Sequence, residues 1–289
     1  MTIETFAASD GYILHYRRYD PSGEPRGTII GLHGVQSHGG WYDCSSKKLC
    51  EAGFRVLYLD RRGSGLNEQS RGDTPSFGRL LDDIAEFLRA PAIRGADAQR
   101  SVPLFVVAVS WGGKLAVALQ RWQSGLADGL VLLCPGWFPR VGLAPAQQLE
   151  VLGARLLSPE RLFPIPLSDP ELFTASARWR DFIRADPLAL HQATARFFVE
   201  SVRLDRYLRK GPTHVTVPTL LLLAGQDRII RNDRTHRFFH KFATADKNII
   251  TYAAAHHTLE FEPNPDHIID EVVRWLDRHT GNRTARFAP

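Results

Sequence analysis

A serine, Ser110, stands where a predicted buried strand gives way to a predicted helix. The apolar run Val102–Val109 is typical of a strand, and good helix formers follow the serine as far as Gln123. Small residues two positions before and two positions after it, Ala108 and Gly112, allow the strand and helix backbones to approach closely in a tight turn that exposes the serine oxygen. A serine in such a turn can act as a nucleophile, or it can simply cap the helix.

A nucleophilic serine needs a histidine base and an acid that orients the histidine, and later strand ends offer both. The stretch LLLLAGQD closes a predicted strand with Asp227, and YAAAHH closes the next one with His256 and His257. Single aspartates and histidines in such loops are usually turn or surface residues, but the order Ser, Asp, His at strand ends favours a catalytic triad. Asp227 is the natural acid because the strand after the serine ends in Leu133–Gly136 without a carboxylate, whereas Asp233 is expected to begin the following helix.

The loop after an earlier strand, which ends in Leu32, is expected to lie near the serine turn. Hydrolysis through a tetrahedral intermediate needs hydrogen-bond donors for the oxyanion. The backbone N–H of Val35 in this loop is a predicted donor. The backbone N–H of Trp111 is a second one, because the first N–H groups of a helix lack helical partners. His33 is interpreted as a structural residue that holds the loop by hydrogen bonds.

Strands and helices alternate along most of the chain. The predicted strands are Tyr12–Tyr19, Gly27–Leu32, Phe54–Leu59, Val102–Val109, Leu130–Cys134, Thr219–Ala224 and Asn248–Ala253. The predicted helices are Tyr42–Glu51, Leu80–Leu88, Ser110–Gln123, Asp233–Phe242 and Pro265–Arg278, the last with Asn264 as its N-cap. This alternation predicts an α/β fold with a mostly parallel sheet, helices on both faces, and ligands bound beyond the carboxyl ends of the strands.

Residues 136–212 interrupt the alternation and show no strand pattern. They offer three helix starts in which a capping residue precedes proline, at Ser158, Asp169 and Asp186. We interpret this segment, called the insertion below, as a helical cap within a single core formed by residues 1–135 and 213–289. It leaves the sheet next to the serine turn, so it is expected to pass over Ser110. The tail Thr280–Pro289 is expected to be frayed.

The bulk composition is that of an ordinary soluble globular protein, with 44% hydrophobic and 23% charged residues. The net charge of +5 comes from basic residues scattered among acids, which argues against a nucleic-acid partner. The chain shows no apolar stretch long enough to span a membrane, and its first residues, which have neither a basic start nor an apolar core, are not expected to form a signal peptide. Its three cysteines have no metal-ligand spacing and suit buried thiols in a reducing cytoplasm. We expect no metal and no cofactor.

Five segments, LHG, LDRRGSGLN, AVSWGG, AGQDRII and HHTLEFE, resemble motifs of the α/β-hydrolase superfamily in order and spacing. Two positions depart from those motifs: Ala108 stands where glycine is usual, and Asn67 ends the stretch that resembles DxRGxGxS. Within the superfamily the chain looks most like the branch of monoacylglycerol lipases and lysophospholipase-like serine hydrolases. The resemblance implies a role for each site residue: Ser110 as nucleophile, Asp227 as acid, His257 rather than His256 as base, and Val35 and Trp111 as the oxyanion hole.

This resemblance implies a serine hydrolase that cleaves carboxylic esters, such as monoacylglycerols or lysophospholipid-like esters, through an acyl-enzyme. Two alternatives remain open: an amide or peptide hydrolase of the aminopeptidase kind, and a hydrolase-like protein that binds a small ligand without turnover. The insertion holds eleven Lys or Arg against eight Asp or Glu, which argues against a site for a cationic amino terminus. The expected partner is a small acyl ester, with at most peripheral lipid contact through the cap, and the oligomeric state stays open.

Overall fold

An eight-stranded sheet forms the centre of the protein. The structure is a computed structural model that describes residues 1–94 and 102–280. The strands of the sheet are β1 (Thr2–Ala7), β2 (Ile13–Tyr19), β3 (Gly27–Leu32), β4 (Phe54–Leu59), β5 (Leu104–Val109), β6 (Gly129–Leu133), β9 (Thr219–Ala224) and β10 (Lys247–Tyr252). Two short strands in the insertion, β7 (Leu162–Pro164) and β8 (Gln192–Thr194), pair only with each other among the described residues.

The sheet is mostly parallel, as its sequence pattern predicts. Its spatial order is β1-β2-β4-β3-β5-β6-β9-β10. The strands from β4 to β10 in that order pair in parallel, whereas β2 runs antiparallel to both of its neighbours. Every residue of β3, β5 and β9 is buried, as expected for parallel strands that are covered on both faces. The carboxyl ends of the central strands therefore meet at one edge of a rigid, apolar layer.

Helices connect the strands. They are α1 (Asp43–Glu51), α2 (Phe77–Arg89), α3 (Pro91–Arg94), α4 (Gly112–Trp122), α5 (Pro145–Leu157), α6 (Ala177–Ala185), α7 (Ala195–Leu208), α8 (Asn232–Phe239) and α9 (Asp266–Thr280). The α1 helix packs on α9, and α4 packs on both α2 and α7. Across the described ranges, none of the helices combines the length and apolar character required to cross a bilayer.

The element boundaries differ from the sequence predictions at a few places. No strand is predicted over β1, an edge strand in which every residue is exposed or only half-buried, so its pattern is weak. The α4 helix begins at Gly112 rather than at Ser110, because the φ of Ser110 is +52° and lies outside the helical region. The last helix begins at Asp266, and the carbonyl of Pro265 accepts its first hydrogen bonds. Thr280, the first residue of the tail that is expected to be frayed, belongs to the last helix, and residues 281–289 lie outside the described ranges.

The insertion contains α5, α6 and α7 together with the β7–β8 pair, which its sequence pattern does not reveal. Of the three proline-based helix starts, the one at Asp169 is correct, since its carboxylate accepts from the N–H of Glu171 in a short 3-10 helix. The other two are wrong. Ser158 follows the last residue of α5, and Asp186 follows the last residue of α6.

The cysteines are unpaired, as their odd count suggests, but only one of them is buried. Cys134 is fully buried at the end of β6, whereas Cys44 is exposed and Cys50 is half-buried in α1. The expectation of buried thiols is therefore wrong for Cys44. Both α1 thiols have a pKa raised by burial and by neighbouring carboxylates, which keeps them protonated.

Candidate active site

Ser110 lies on a sharp turn between β5 and α4. Its φ of +52° is a left-handed conformation that non-glycine residues rarely adopt, and its N–H is held by the carbonyl of Leu133 at 2.9 Å. The turn leaves no room for a side chain at Gly112, where a Cβ would lie 2.4 Å from the carbonyl oxygen of Leu32. The methyl of Ala108 is fully buried two residues before the serine, so the fold accommodates this departure from glycine.

His257 and Asp227 lie next to Ser110 and form a continuous hydrogen-bonded chain with it. His257 Nε2 is 2.8 Å from Ser110 Oγ, and His257 Nδ1 is 2.7 Å from Asp227 Oδ2. Because a carboxylate can only accept, Nδ1 carries the proton and Nε2 is free to accept from the serine hydroxyl. The side chains of His257 and Asp227 are almost completely buried, so water does not compete for these bonds.

The carboxylate of Asp227 is held in its charged form by its neighbours. Its Oδ1 accepts from the backbone N–H groups of Ile229 at 2.8 Å and Ile230 at 2.9 Å. Burial alone would raise the pKa of Asp227, but the His257 imidazole and the two N–H groups outweigh it, and the pKa lies below the usual value. The loop after β9 therefore presents an ionised acid to the imidazole.

The two competing residues lie elsewhere. His256 is half-buried, and both its backbone N–H and its Nδ1 contact Glu262 Oε1, at 2.8 Å and 3.2 Å. Asp233 lies in the first turn of α8, with 61% of its side chain exposed, and pairs with Arg237 at 2.8 Å. Among the described residues, neither side chain forms a hydrogen bond or an ion pair with Ser110 or His257.

The two predicted oxyanion donors flank the serine. Val35 and Trp111 line the same cavity as Ser110. Within the described ranges, neither backbone N–H donates a hydrogen bond to another protein group. Two unused donors beside a nucleophile are available to a developing negative charge.

His33 fixes the orientation of the peptide group that carries the Val35 N–H. Its Nε2 accepts from the backbone N–H of Arg61 at 2.9 Å, so its Nδ1 donates to the carbonyl of Gly34 at 2.7 Å. Burial lowers the pKa of His33 to about 3, and the imidazole is therefore neutral at physiological pH. This contact explains the structural role that the sequence suggests for His33.

Sequence reasoning missed Arg61, which supports the same loop from the other side. Its Nη2 donates to the carbonyl of Val35 at 2.9 Å, and its guanidinium lies 5.0 Å from the ring centroid of Trp111. Burial lowers the pKa of Arg61 to about 10. The signal that could have found it is its position in the DRRGSG stretch, directly after the buried Asp60.

Cys134 is a second residue that sequence reasoning left without a role. Its Sγ and ligand atoms of Asp227 and His257 lie within 4.8 Å of one another, the spacing of a metal site. However, Asp227 and His257 are already bonded to each other and to Ser110. Burial, together with the nearby Asp227 charge, raises the pKa of the Cys134 thiol well above its usual value. A protonated thiol is a poor metal ligand, and these residues fit a proton-transfer chain better than a metal centre.

A cavity of about 630 Å³ opens at Ser110, between the strand ends and the insertion. Much of its lining is apolar and comes from Val141, Leu143, Val151, Leu152, Phe198 and Ile230. A volume of this size is typical of sites for small-molecule ligands, and the apolar lining suits a hydrocarbon chain. Ser110 therefore faces a space that can hold one part of a small ligand.

Comparisons with known proteins identify the family and the relatives of this chain. The model of the family described as "Serine aminopeptidase, S33" matches residues 23–264. Monoacylglycerol lipase of Mycolicibacterium smegmatis is 26% identical, over 95% of this chain and 96% of its own length. Monoglyceride lipase of Rattus norvegicus is 24% identical, over 97% of this chain and 92% of its own.

Solved structures show the same fold. Monoacylglycerol lipase of Paleococcus ferrophilus superposes with a TM-score of 0.78 at 21% identity, over 92% of this chain and 99% of its own. A soluble variant of monoglyceride lipase from Saccharomyces cerevisiae, in complex with a substrate analogue, has a TM-score of 0.81 at 20% identity, over 96% of this chain and 94% of its own. The chain belongs to the serine aminopeptidase S33 family of α/β-hydrolases, and within the superfamily it is similar to monoacylglycerol and monoglyceride lipases.

Proposed function

We propose that the protein is a carboxylic ester hydrolase in which Ser110 is the nucleophile, His257 the general base and Asp227 the acid that orients it. One observation carries this proposal: the hydrogen-bonded chain from Asp227 through His257 ends at Ser110, which lies on the wall of a largely apolar cavity. A serine activated in this way attacks acyl carbonyl groups. The similarity to monoacylglycerol and monoglyceride lipases favours ester substrates.

Acylation follows from the positions of these groups. Ser110 Oγ attacks the carbonyl carbon of the ester while its proton passes to His257 Nε2. The carbonyl oxygen becomes an oxyanion, which the N–H groups of Val35 and Trp111 stabilise. The ionised Asp227 stabilises the imidazolium without taking its proton. The bond to the leaving alcohol then breaks, and the alcohol oxygen receives the proton from His257.

Deacylation repeats these steps with water. His257 accepts a proton from a water molecule, whose oxygen attacks the carbonyl carbon of the acyl-enzyme. The second tetrahedral intermediate collapses as Ser110 Oγ leaves and recovers its proton from His257. A carboxylic acid is released, and the free enzyme is restored without an oxidant, a reductant or a cofactor.

We propose monoacylglycerols or lysophospholipid-like esters as the natural substrate type, and the insertion as a cap that selects the acyl chain. Proteins named phospholipase and lysophospholipase are also among the relatives, at 21% and 24% identity. Leu149, Leu152, Leu156 and Leu157 of α5 are more than half exposed, which supports peripheral contact with a lipid surface. We also propose that the protein is located in the reducing cytoplasm, which its unpaired cysteines support.

The test is a hydrolysis panel on the purified protein. We expect turnover of acyl esters, such as 4-nitrophenyl esters and monoacylglycerols of graded chain length, and stoichiometric labelling of Ser110 by a fluorophosphonate. Aminoacyl anilides provide the comparison with an aminopeptidase, the activity named in the family description. Anilide turnover above ester turnover would overturn the ester proposal. Tight binding without turnover or labelling would favour a non-catalytic binding protein.

A further inference from the structure

One wall of the cavity at Ser110 is polar, unlike the apolar lining described above. It is formed where α4 packs on α7. Ser201, Asp205 and Arg206 of α7 lie on this wall, together with Lys114 of α4, which is one helical turn beyond Ser110. A plain hydrocarbon chain does not use these polar groups.

Lys114 is the most unusual member of this wall because its charge is buried. Only 5% of the residue is exposed, and its Nζ lies 2.7 Å from Asp205 Oδ1. An ammonium has three donors, and within the described part of the chain Asp205 is its sole charged partner. The remaining donors of Lys114 are available to a group that enters the cavity.

Arg206 adds a charge that the protein does not balance. It is exposed at the cavity wall, and across the described residues it has no hydrogen bond and no ion pair. The nearby Arg203, by contrast, pairs with Glu200 at 2.6 Å. The local cluster therefore sets three cations, Lys114, Arg203 and Arg206, against two carboxylates, Asp205 and Glu200.

A structural role explains part of this arrangement but not all of it. The Lys114–Asp205 pair ties α4 of the core to α7 of the insertion, as a partly buried ion pair can. That role needs neither Arg206 nor a position on the cavity wall. An excess positive charge beside apolar surface attracts anions, because the poorly polarisable surroundings weaken its screening.

We propose that the ester substrate carries an anionic group, a carboxylate or a phosphate, which binds Lys114 and Arg206 while the ester lies at Ser110. This inference rests on the proposed function and narrows its substrate class. The anion accepts hydrogen bonds from the Lys114 ammonium inside the cavity and from the Arg206 guanidinium at its wall. It can belong to the far end of the acyl chain or to the alcohol.

The experiment compares kcat/KM for matched charged and neutral esters. For the acyl arm we use 4-nitrophenyl monoesters of adipic, suberic and sebacic acid against 4-nitrophenyl hexanoate, octanoate and decanoate. For the alcohol arm we use octanoylglycerol 3-phosphate against octanoylglycerol. In one of the two arms we expect the anionic ester to be preferred about tenfold, since a hydrogen bond between charged groups contributes roughly 1.5 kcal/mol or more.

The variants assign this preference to the two cations. Arg206→Gln removes an exposed charge without disturbing the core and should bring the charged-to-neutral ratio close to one, with the neutral ester unaffected. Lys114→Met should have the same effect, and the double variant Lys114→Met/Asp205→Asn removes the whole ion pair if the single one folds poorly. Arg209→Gln is the matched control, because Arg209 follows the same helix, is exposed and lies outside the cavity.

Each outcome decides the question. Equal kcat/KM for charged and neutral esters in both arms would overturn the inference and leave the proposed function intact. A preference that survives both Arg206→Gln and the Lys114 variants would also overturn it, because the anion would bind elsewhere. Failure to hydrolyse any ester would instead overturn the proposed function, and this inference with it.

Discussion

The two sides of the cavity at Ser110 are built differently. On one side, Ser110, Asp227 and His257 come from loops at the strand ends of the sheet, and hydrogen bonds of 2.7–2.8 Å join them. On the other side, the insertion contributes mainly apolar side chains, such as Val151 and Phe198, that leave a space between them. Under the proposed function, the core fixes the chemistry at a few atoms, whereas the insertion selects the substrate through many small contacts. Changes on the core side should therefore cost orders of magnitude, and changes on the insertion side only small factors.

The largest effect is expected from Ser110→Ala. It removes the proposed nucleophile and should lower kcat by roughly 10⁴-fold or more while the fold is retained, because the members of a triad act as a unit. Initial rates on a medium-chain ester, a thermal melt and fluorophosphonate labelling check this. A variant that keeps a tenth of wild-type activity would show that another residue is the nucleophile.

A nearly equal loss is expected from His257→Ala, with His256→Ala as its matched control. His257 bridges Ser110 and Asp227, whereas His256 contacts Glu262. Because only a neutral imidazole can take the serine proton, kcat/KM should also fall as the medium becomes acidic. Equal large losses in the two variants, or loss only at position 256, would reverse the assignment. Constant activity well into the acid range would argue against a histidine base.

Asp227→Asn is expected to cost several orders of magnitude, about 10⁴-fold by analogy with other triads, since an amide favours the wrong imidazole tautomer. Asp233→Asn should cost little, because Asp233 is exposed and pairs only with Arg237 among the described residues. The kcat of both variants on one ester is the measurement. Comparable activities would leave the identity of the acid open.

The same comparison explains what the sequence could predict. The strands β3, β5 and β9 are continuous apolar runs, and parallel strands of this kind bring their carboxyl ends to one edge. The order of Ser110, Asp227 and His257 along the chain was therefore enough to predict a catalytic triad without any structural distance. The mostly parallel sheet follows from the same pattern, whereas the spatial order of its strands was not predicted.

The two short strands of the insertion and the buried positions of Arg61 and Lys114 could not be predicted in this way. The strands β7 and β8 are three residues long and pair across 30 positions, so no periodicity marks them. Arg61 and Lys114 look like ordinary surface residues, because the partners that bury them, Trp111 and Asp205, come from distant parts of the chain. Long-range packing of this kind leaves no local pattern.

A smaller effect should follow from changes in the insertion. Leu152→Trp places a large side chain at the cavity wall and should lower kcat/KM for long acyl esters relative to short ones, by up to roughly fourfold for each methylene that is displaced. Leu156→Trp is the control, because Leu156 lies one turn further along α5, is 84% exposed and does not line the cavity. An unchanged chain-length profile in Leu152→Trp would assign acyl preference to the core loops.

The smallest effect on turnover is expected at Glu260, a buried carboxylate on the core side that lies outside the catalytic chain. The backbone N–H of Ser45 donates a hydrogen bond to its Oε1 at 2.9 Å. Burial raises its pKa from 4.5 to about 7. The folded state therefore favours the protonated carboxyl group. Its contribution to the free energy of unfolding is lost as the pH rises through about 7.

Glu260→Gln should remove this pH dependence while leaving kcat unchanged. Near pH 8 the variant should exceed the wild type in free energy of unfolding by up to about 3 kcal/mol, since each unit of pKa shift corresponds to ~1.4 kcal/mol. Near pH 4 this gain should largely disappear, because Glu260 is then protonated in the folded protein and mostly protonated in the unfolded chain as well. Urea unfolding of both proteins at the two pH values measures the difference. A gain of equal size at both would show that packing rather than charge governs this site, and a large loss of kcat would place Glu260 in the catalytic machinery.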